Sequence, residues 1–384
     1  MRRVLTILTA VVLVAGSLTV GTLAADLPFW RRAFDLPLGP TEIFNPTTMI
    51  GRSPGGALVA LDANLNSIDP AALSAADYAA RVAGADALLV ARRGDLQVEH
   101  YFRNESDWSA LRPADFLARP LAALAVGFVF AEGHIKSLDE PVAKYLPEWA
   151  DDPRGRITLR QLLNETSGLA TGADAAQVLG SHPLVDWSRL ADFATSRGVR
   201  LLLGNDFEST ALGFELQHEA GGFFNVSPVN TQLAAVIVER VSGVPYETFL
   251  ERQLLVPAYM ERMQLQMDRL SGMPAAHCCL RAFSRDVLKI AELLRNDGAF
   301  ASGKRVLPVG WVTEMLKGSN ANPQFGLQIG REKHGDLEVW HIGGEHGGAL
   351  WIVPALDLTV VALADRDVQL SGALLEPLLG SLRK

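Results

Sequence analysis

Ser227, His341 and His346, with Glu345 or Asp206 to orient a ring, are the residue types of a nucleophile, its general base and an acidic partner. Brought together by a fold, such a set attacks ester, amide or peptide carbonyls, whatever the chain order of its members. The plainer expectation makes Ser227 a turn serine ahead of Pro228 and the histidines rim or surface groups. Cys278 and Cys279 are the only cysteines and are adjacent, so they cannot staple distant segments. They could close a vicinal disulfide, although buried thiols are the expected state. His277 beside them raises a metal site. Three consecutive side chains diverge, however, and a closed tetrahedral site would need outside ligands. No metal and no cofactor is expected.

The elements that must position these groups can be read from period and punctuation. Residues 71–82 suit a helix started by Asp69-Pro70. Residues 87–92 and 96–102 flank Arg93-Gly94-Asp95 and read as a hairpin. Residues 117–132 are small and aliphatic all round, which predicts a buried helix ended by Gly133. Thr158 caps a short helix over 158–164. Residues 231–241 form a helix with Leu233, Val236, Ile237 and Val241 on one face, closed by Ser242-Gly243. Residues 246–256 and 284–297 follow as helices. Residues 337–341, 349–353 and 358–363 change to a strand pattern, and a helix closes the chain over about 368–382. Strands early and late with helices between predict an α+β fold: an antiparallel sheet flanked by helices, formed by both chain ends, with an inserted helical domain.

Several short motifs succeed one another in a specific order. Gly127, Glu132-Gly133-His134-Ile135, Leu138-Asp139-Glu140-Pro141, Tyr145-Leu146-Pro147 and Thr166-Ser167-Gly168-Leu169 come first. Ala220-Gly221-Gly222-Phe223-Phe224-Asn225-Val226-Ser227, Cys278-Cys279-Leu280, Ser284-Arg285-Asp286 and Trp340-His341-Ile342-Gly343-Gly344 follow. Over residues 88–363 this resembles the serine β-lactamase and penicillin-binding-protein superfamily, above all its class C-like esterase and 6-aminohexanoate-dimer hydrolase branch. The resemblance implies the β-lactamase/transpeptidase-like arrangement. It also implies a Ser-x-x-Lys at the start of the helix leading to Gly127, a proton-shuttling tyrosine in the second motif, and a pocket-edging strand in the third.

Counted back from Gly127 without a gap, the serine slot falls on Phe116 and the lysine slot on Arg119. A lysine one helical turn from a serine can accept its proton. Phenylalanine offers no nucleophile, and a guanidinium stays protonated at any working pH. No serine lies between Ala110 and Lys136 to rescue the motif. The tyrosine slot falls on Val226, which cannot carry a proton, and Asn230 remains nearby. No residue is therefore singled out as catalytic. Phe116, Arg119, Val226, Asn230, His341, Gly343 and Gly344 are the candidate pocket residues.

Three functions follow. One is a non-catalytic member that uses the old cleft to hold a small carboxylate, peptide or ester. Another is a hydrolase with a rebuilt site. The last is a structural protein whose cleft is filled by Phe116, with Arg119 paired to a local acid such as Asp115.

The 384 residues, 48% hydrophobic and 20% charged, are enough for a large core and exclude a disordered chain. A net charge of −8 without a basic cluster argues against nucleic acid. Arg2 and Arg3 precede an uncharged apolar run from Val4 to Ala25. A spanning helix needs roughly 20 apolar residues. Residues 1–25 are thus read as a signal anchor or signal peptide that holds the body outside the cytoplasm, membrane-anchored or periplasmic/secreted. Residues 26–80 read as a linker and wrap-around arm, and 81–384 as the main domain. Its sheet part covers about 81–110 and 300–384, its helical part about 111–299.

Overall fold

The computed structural model describes residues 26–35, 46–51, 67–103, 108–172, 190–300, 302–343, 348–364 and 370–383. Helix α1 (Leu27–Asp35) and strand β1 (Thr47–Ile50) precede α2 (Pro70–Val82). Asp69 caps α2 by accepting the Ala71 N–H at 2.9 Å, and Pro70 fills the first helical position, as the sequence predicts. The hairpin β2 (Ala87–Arg92) and β3 (Asp95–Tyr101) follows, then the short β4 (Arg112–Pro113). A 3-10 turn at Asp115–Leu117 leads into α3 (Ala118–Ala131). The short α4 (Leu159–Leu163) is held by a reciprocal capping box between Thr158 and Gln161. Beyond it come α5 (Pro228–Ser242), β5 (Met263–Gln266), β6 (Leu280–Ala282) and α6 (Ser284–Arg295). The chain closes with β7 (Gly330–His334), β8 (Leu337–Gly343), β9 (Gly348–Val353), β10 (Leu358–Leu363) and α7 (Glu376–Leu382).

Among the described residues β3-β2-β10-β9-β8-β7 form a six-stranded sheet, antiparallel throughout. The two chain ends meet where β10 pairs with β2 (Val360 opposite Val90). Alternate side chains serve two cores. Leu89, Leu350, Ile352, Val361 and Leu363 join the main core with α3 and α5. Leu88, Val90, Trp351, Val360 and Ala362 join a second core under α2 and α7. Helix α3 is buried on all sides, as its composition requires. Gly127 lets it approach Trp311, since a Cβ there would stand 2.4 Å from the indole Nε1.

Several expectations need correcting. Helix α5 starts at Pro228, and every residue from Val229 to Val238 is buried, so it has no single apolar face. It is the central helix of the main core, packed on α3, so its polar Asn230, Thr231 and Gln232 are buried along with its apolar residues. The helix after Tyr246 passes into a π-helical turn at Glu251–Leu255. The last helix is α7, preceded by a 3-10 turn at Gly372–Leu375. A second sheet, β1-β5-β6-β4, was not legible, because its strands are only two to four residues long and pair across the chain. Strand β7 was missed because its charged Arg331, Glu332 and Lys333 lie on a sheet edge.

In the arm, α1 buries Phe29, Trp30 and Ala33. Its Arg32 donates to the carbonyl of Leu203 at 3.1 Å and to those of Gly204 and Asp268. Among the described residues no helix is long and apolar enough to cross a membrane, and residues 1–25 lie outside them.

Candidate functional site

The turn Asp115–Leu117 is fixed from two directions. The Ala114 N–H donates to the Leu280 carbonyl at 2.8 Å, and Asp115 Oδ1 accepts the Leu280 N–H at 2.7 Å. This aims Phe116 into the main core, where it is 2% exposed. Its ring lies against Gly348 at the start of β9, where a Cβ would come within 2.8 Å of Phe116 Cε1. Phe116 thus fills its own site. Arg119, in the first turn of α3, is half-buried and donates from Nη2 to the Gly343 carbonyl at 3.5 Å. Asp115, proposed as its partner, is instead engaged by Leu280.

Beside Arg119 lies a group that the sequence reading missed. Glu165 is completely buried, with a left-handed backbone (φ 57°). Its Oε2 accepts the Ser227 N–H at 2.9 Å and Asn230 Nδ2 at 2.6 Å, and its Oε1 accepts Gln328 Nε2 at 2.8 Å. Burial raises its pKa, against the hydrogen bonds from Asn230 and Gln328, the charge of Arg119 and the Ser227 N–H. The donors are those an ionised carboxylate needs. The signal available was an acid directly before the Thr166-Ser167-Gly168-Leu169 turn, two residues after the end of α4.

Phe116, Arg119 and Gly343 therefore lie together at the start of α3, and Asn230 is joined to them through Glu165, which feels the charge of Arg119. Val226, beside Ser227, is 40% exposed. Among the described residues the proposed triad does not assemble. Ser227 is buried and its hydroxyl donates to the Ala170 carbonyl at 3.1 Å. His341 pairs in register with Trp351, whose side chain belongs to the second core, so it faces away from Phe116. It lies over Gly330, and burial lowers its pKa, with Glu332 raising it and His334 lowering it further. Asp206 caps the helix Phe207–Leu212 by accepting the Ser209 N–H at 2.9 Å. Gly344, Glu345 and His346 lie outside the described residues.

Cys278 and Cys279 are joined by a disulfide and are only half-buried, which corrects the expectation of buried thiols. A left-handed Cys279 (φ 61°) brings the two sulfurs together. His277 meets Gln232 Oε1 at 2.8 Å, and burial pushes its pKa down to about 4. Among the described residues no cluster of three or more His, Cys, Asp or Glu side chains could hold a metal ion.

Comparison with known proteins agrees with this architecture. A family model described as Beta-lactamase matches residues 76–379. The 6-aminohexanoate-dimer hydrolase of Paenarthrobacter ureafaciens is 25% identical over 297 residues, 73% of this chain and 72% of that protein. A Bacillus anthracis structure assigned as a 6-aminohexanoate-dimer hydrolase superposes with a TM-score of 0.65 at 17% identity, covering 88% of this chain and 89% of that one. A penicillin-binding protein from Bacillus halodurans gives 0.58 at 16% identity, covering 81% and 99%.

Proposed function

The chain belongs to the Beta-lactamase family, of serine hydrolase fold, and from there we propose that it is a non-catalytic member that holds a carboxylate-bearing ligand at the mouth of the inherited cleft. The observation that carries this reading is Phe116. The slot for an attacking hydroxyl holds a ring that is 2% exposed and packed against Gly348. Such residues act as a unit, so nucleophile, base and proton shuttle cannot be removed together without losing the acyl-enzyme route. Ser227, bonded to Ala170, does not replace the nucleophile.

What remains at the mouth is Arg119, with a single long hydrogen bond to Gly343. A planar guanidinium with donors to spare suits a carboxylate. The relative named for 6-aminohexanoate dimer offers a probe of that chemistry, since such a dimer ends in a free carboxylate. The reading also puts the domain outside the cytoplasm, attached to a membrane through residues 1–25. A disulfide suits such an oxidising compartment.

The test is incubation of the folded protein with a fluorophosphonate and with a labelled penicillin. No covalent label is expected on any serine, and stoichiometric labelling would establish an active, rebuilt hydrolase instead. Titration with the 6-aminohexanoate dimer tests the cleft. Saturable binding without turnover, weakened at least about tenfold in Arg119→Ala, is expected for a lost charge-assisted pair. Binding indifferent to Arg119 would remove the ligand assignment.

A further inference from the structure

The two cysteines sit at a mechanical junction. On one flank Gln232 of α5 grips the chain: its Oε1 accepts the Ala276 N–H at 3.0 Å and meets His277 Nδ1, and its Nε2 donates to the Pro274 carbonyl at 3.1 Å. On the other flank Leu280 opens β6, which pairs with β4. Its N–H and carbonyl hold Asp115 and Ala114, the two residues that precede Phe116. The disulfide thus lies between the central helix and the cleft turn.

We propose that Cys278–Cys279 is a dithiol-exchange site, and that opening it loosens the turn that carries Phe116 and leads into Arg119. Both residues are half-buried, so the pair lies at the surface layer and not in the core. A thiolate of an external dithiol attacks one sulfur; the S–S bond breaks, a mixed disulfide forms and the other cysteine leaves as a thiolate. The second thiolate of the reductant then attacks its own sulfur in that mixed disulfide, closes a disulfide within the reductant and releases the remaining cysteine. Two electrons pass from the dithiol to the pair, and the two cysteine thiolates take up protons, which balance those lost by the dithiol.

Structural coupling follows from the backbone. The small ring between neighbours holds Cys279 at φ 61°, a region costly for any residue but glycine. With the ring open, Cys279 can relax to negative φ. The Gln232 side stays clamped by its hydrogen bonds, so the rotation is delivered to the next peptide. That peptide's N–H is the one Asp115 accepts.

The experiment uses the full chain under native conditions, with and without dithiothreitol, read by iodoacetamide labelling with mass spectrometry and by amide hydrogen exchange. Without reductant neither cysteine is labelled. With it both are, and exchange at the Ala114 and Leu280 amides speeds up by about tenfold or more, as expected for local opening. The Ala276 amide is unchanged. A double variant, Cys278→Ser with Cys279→Ser, shows the fast exchange without reductant and no response to it; if it does not fold, the reduced native chain carries the test. Labelling before any reductant is added, a pair inert to dithiothreitol in the folded protein, or equal exchange at Ala114 and Leu280 in both redox states would each overturn the proposal.

Discussion

The two faces of the six-stranded sheet treat their polar groups in opposite ways. In the main core, Glu165 is sealed and meets fixed donors from Ser227, Asn230 and Gln328. On the other face, under the terminal helices, His334 stands between Glu332 and Glu376, each at 3.0 Å, and both carboxylates reach solvent. His341 lies near them. The first arrangement is closed off from water, and burial raises the Glu165 pKa against its hydrogen bonds. The second stands at solvent, and its two carboxylates raise the pKa of His334. Buried polar groups of the first kind hold their places through hydrogen bonds as well as packing.

The largest effect separating the faces should come from Phe116→Ala, which empties a slot in the main core. It is expected to cost about 3–5 kcal/mol in urea unfolding, the usual loss for a buried phenylalanine. A loss below about 1 kcal/mol would mean that the ring lies at a loose surface rather than in a packed core. Glu165→Gln comes next. An amide turns one acceptor into a donor opposite donors, and about 1–3 kcal/mol should be lost. Thermal unfolding at pH 7 measures it, and an unchanged midpoint would show that the carboxyl is already protonated and donating.

The smallest effect belongs to the histidines, with opposite signs. Burial pulls the His334 pKa down, but its hydrogen bonds to Glu376 and Glu332 outweigh this and raise it. Its contribution is therefore complete below the unfolded value near 6.5 and is lost as pH rises through the folded one. His341 is depressed, so its contribution is complete above about 6.5 and is lost as pH falls through its folded value. Since the carboxylates around His334 are exposed, its share should not exceed about 1 kcal/mol. His334→Gln should flatten the alkaline limb of the stability profile, while the acid limb keeps its sign, because burial is the main cause of the His341 depression, and shrinks only by the share that the charge of His334 adds. A profile unchanged on both limbs would remove the distinction between the faces.

How far the sequence could be read follows the same division. The sheet built from both ends, buried α3 and the placement of Phe116 and Arg119 at its start were legible, because period, caps and motif spacing are local signals. The orientation of His341 was not. Val339 and Ile342 are three apart on one strand and so take opposite faces, yet both are apolar, because the sheet is covered on both sides and the apolar-polar alternation is lost. The role of Glu165 was hard to read for a related reason: its position before a turn is a local signal, but its partners, Ser227, Asn230 and Gln328, converge only in the fold. The disulfide was weighed and set aside, since adjacency alone does not reveal a left-handed Cys279.

Helix α1 has a mechanical consequence. Arg32 is moored to backbone carbonyls of Leu203, Gly204 and Asp268, Phe29 sits under the guanidinium of Arg200, and Asp26 pairs with the same arginine at 2.7 Å. The lead-in is therefore lashed to the globule from its first described residue, with no slack to pay out. A pull on the chain ahead of Asp26 is delivered through α1 to the backbone at Leu203, Gly204 and Asp268 and is not taken up within the arm.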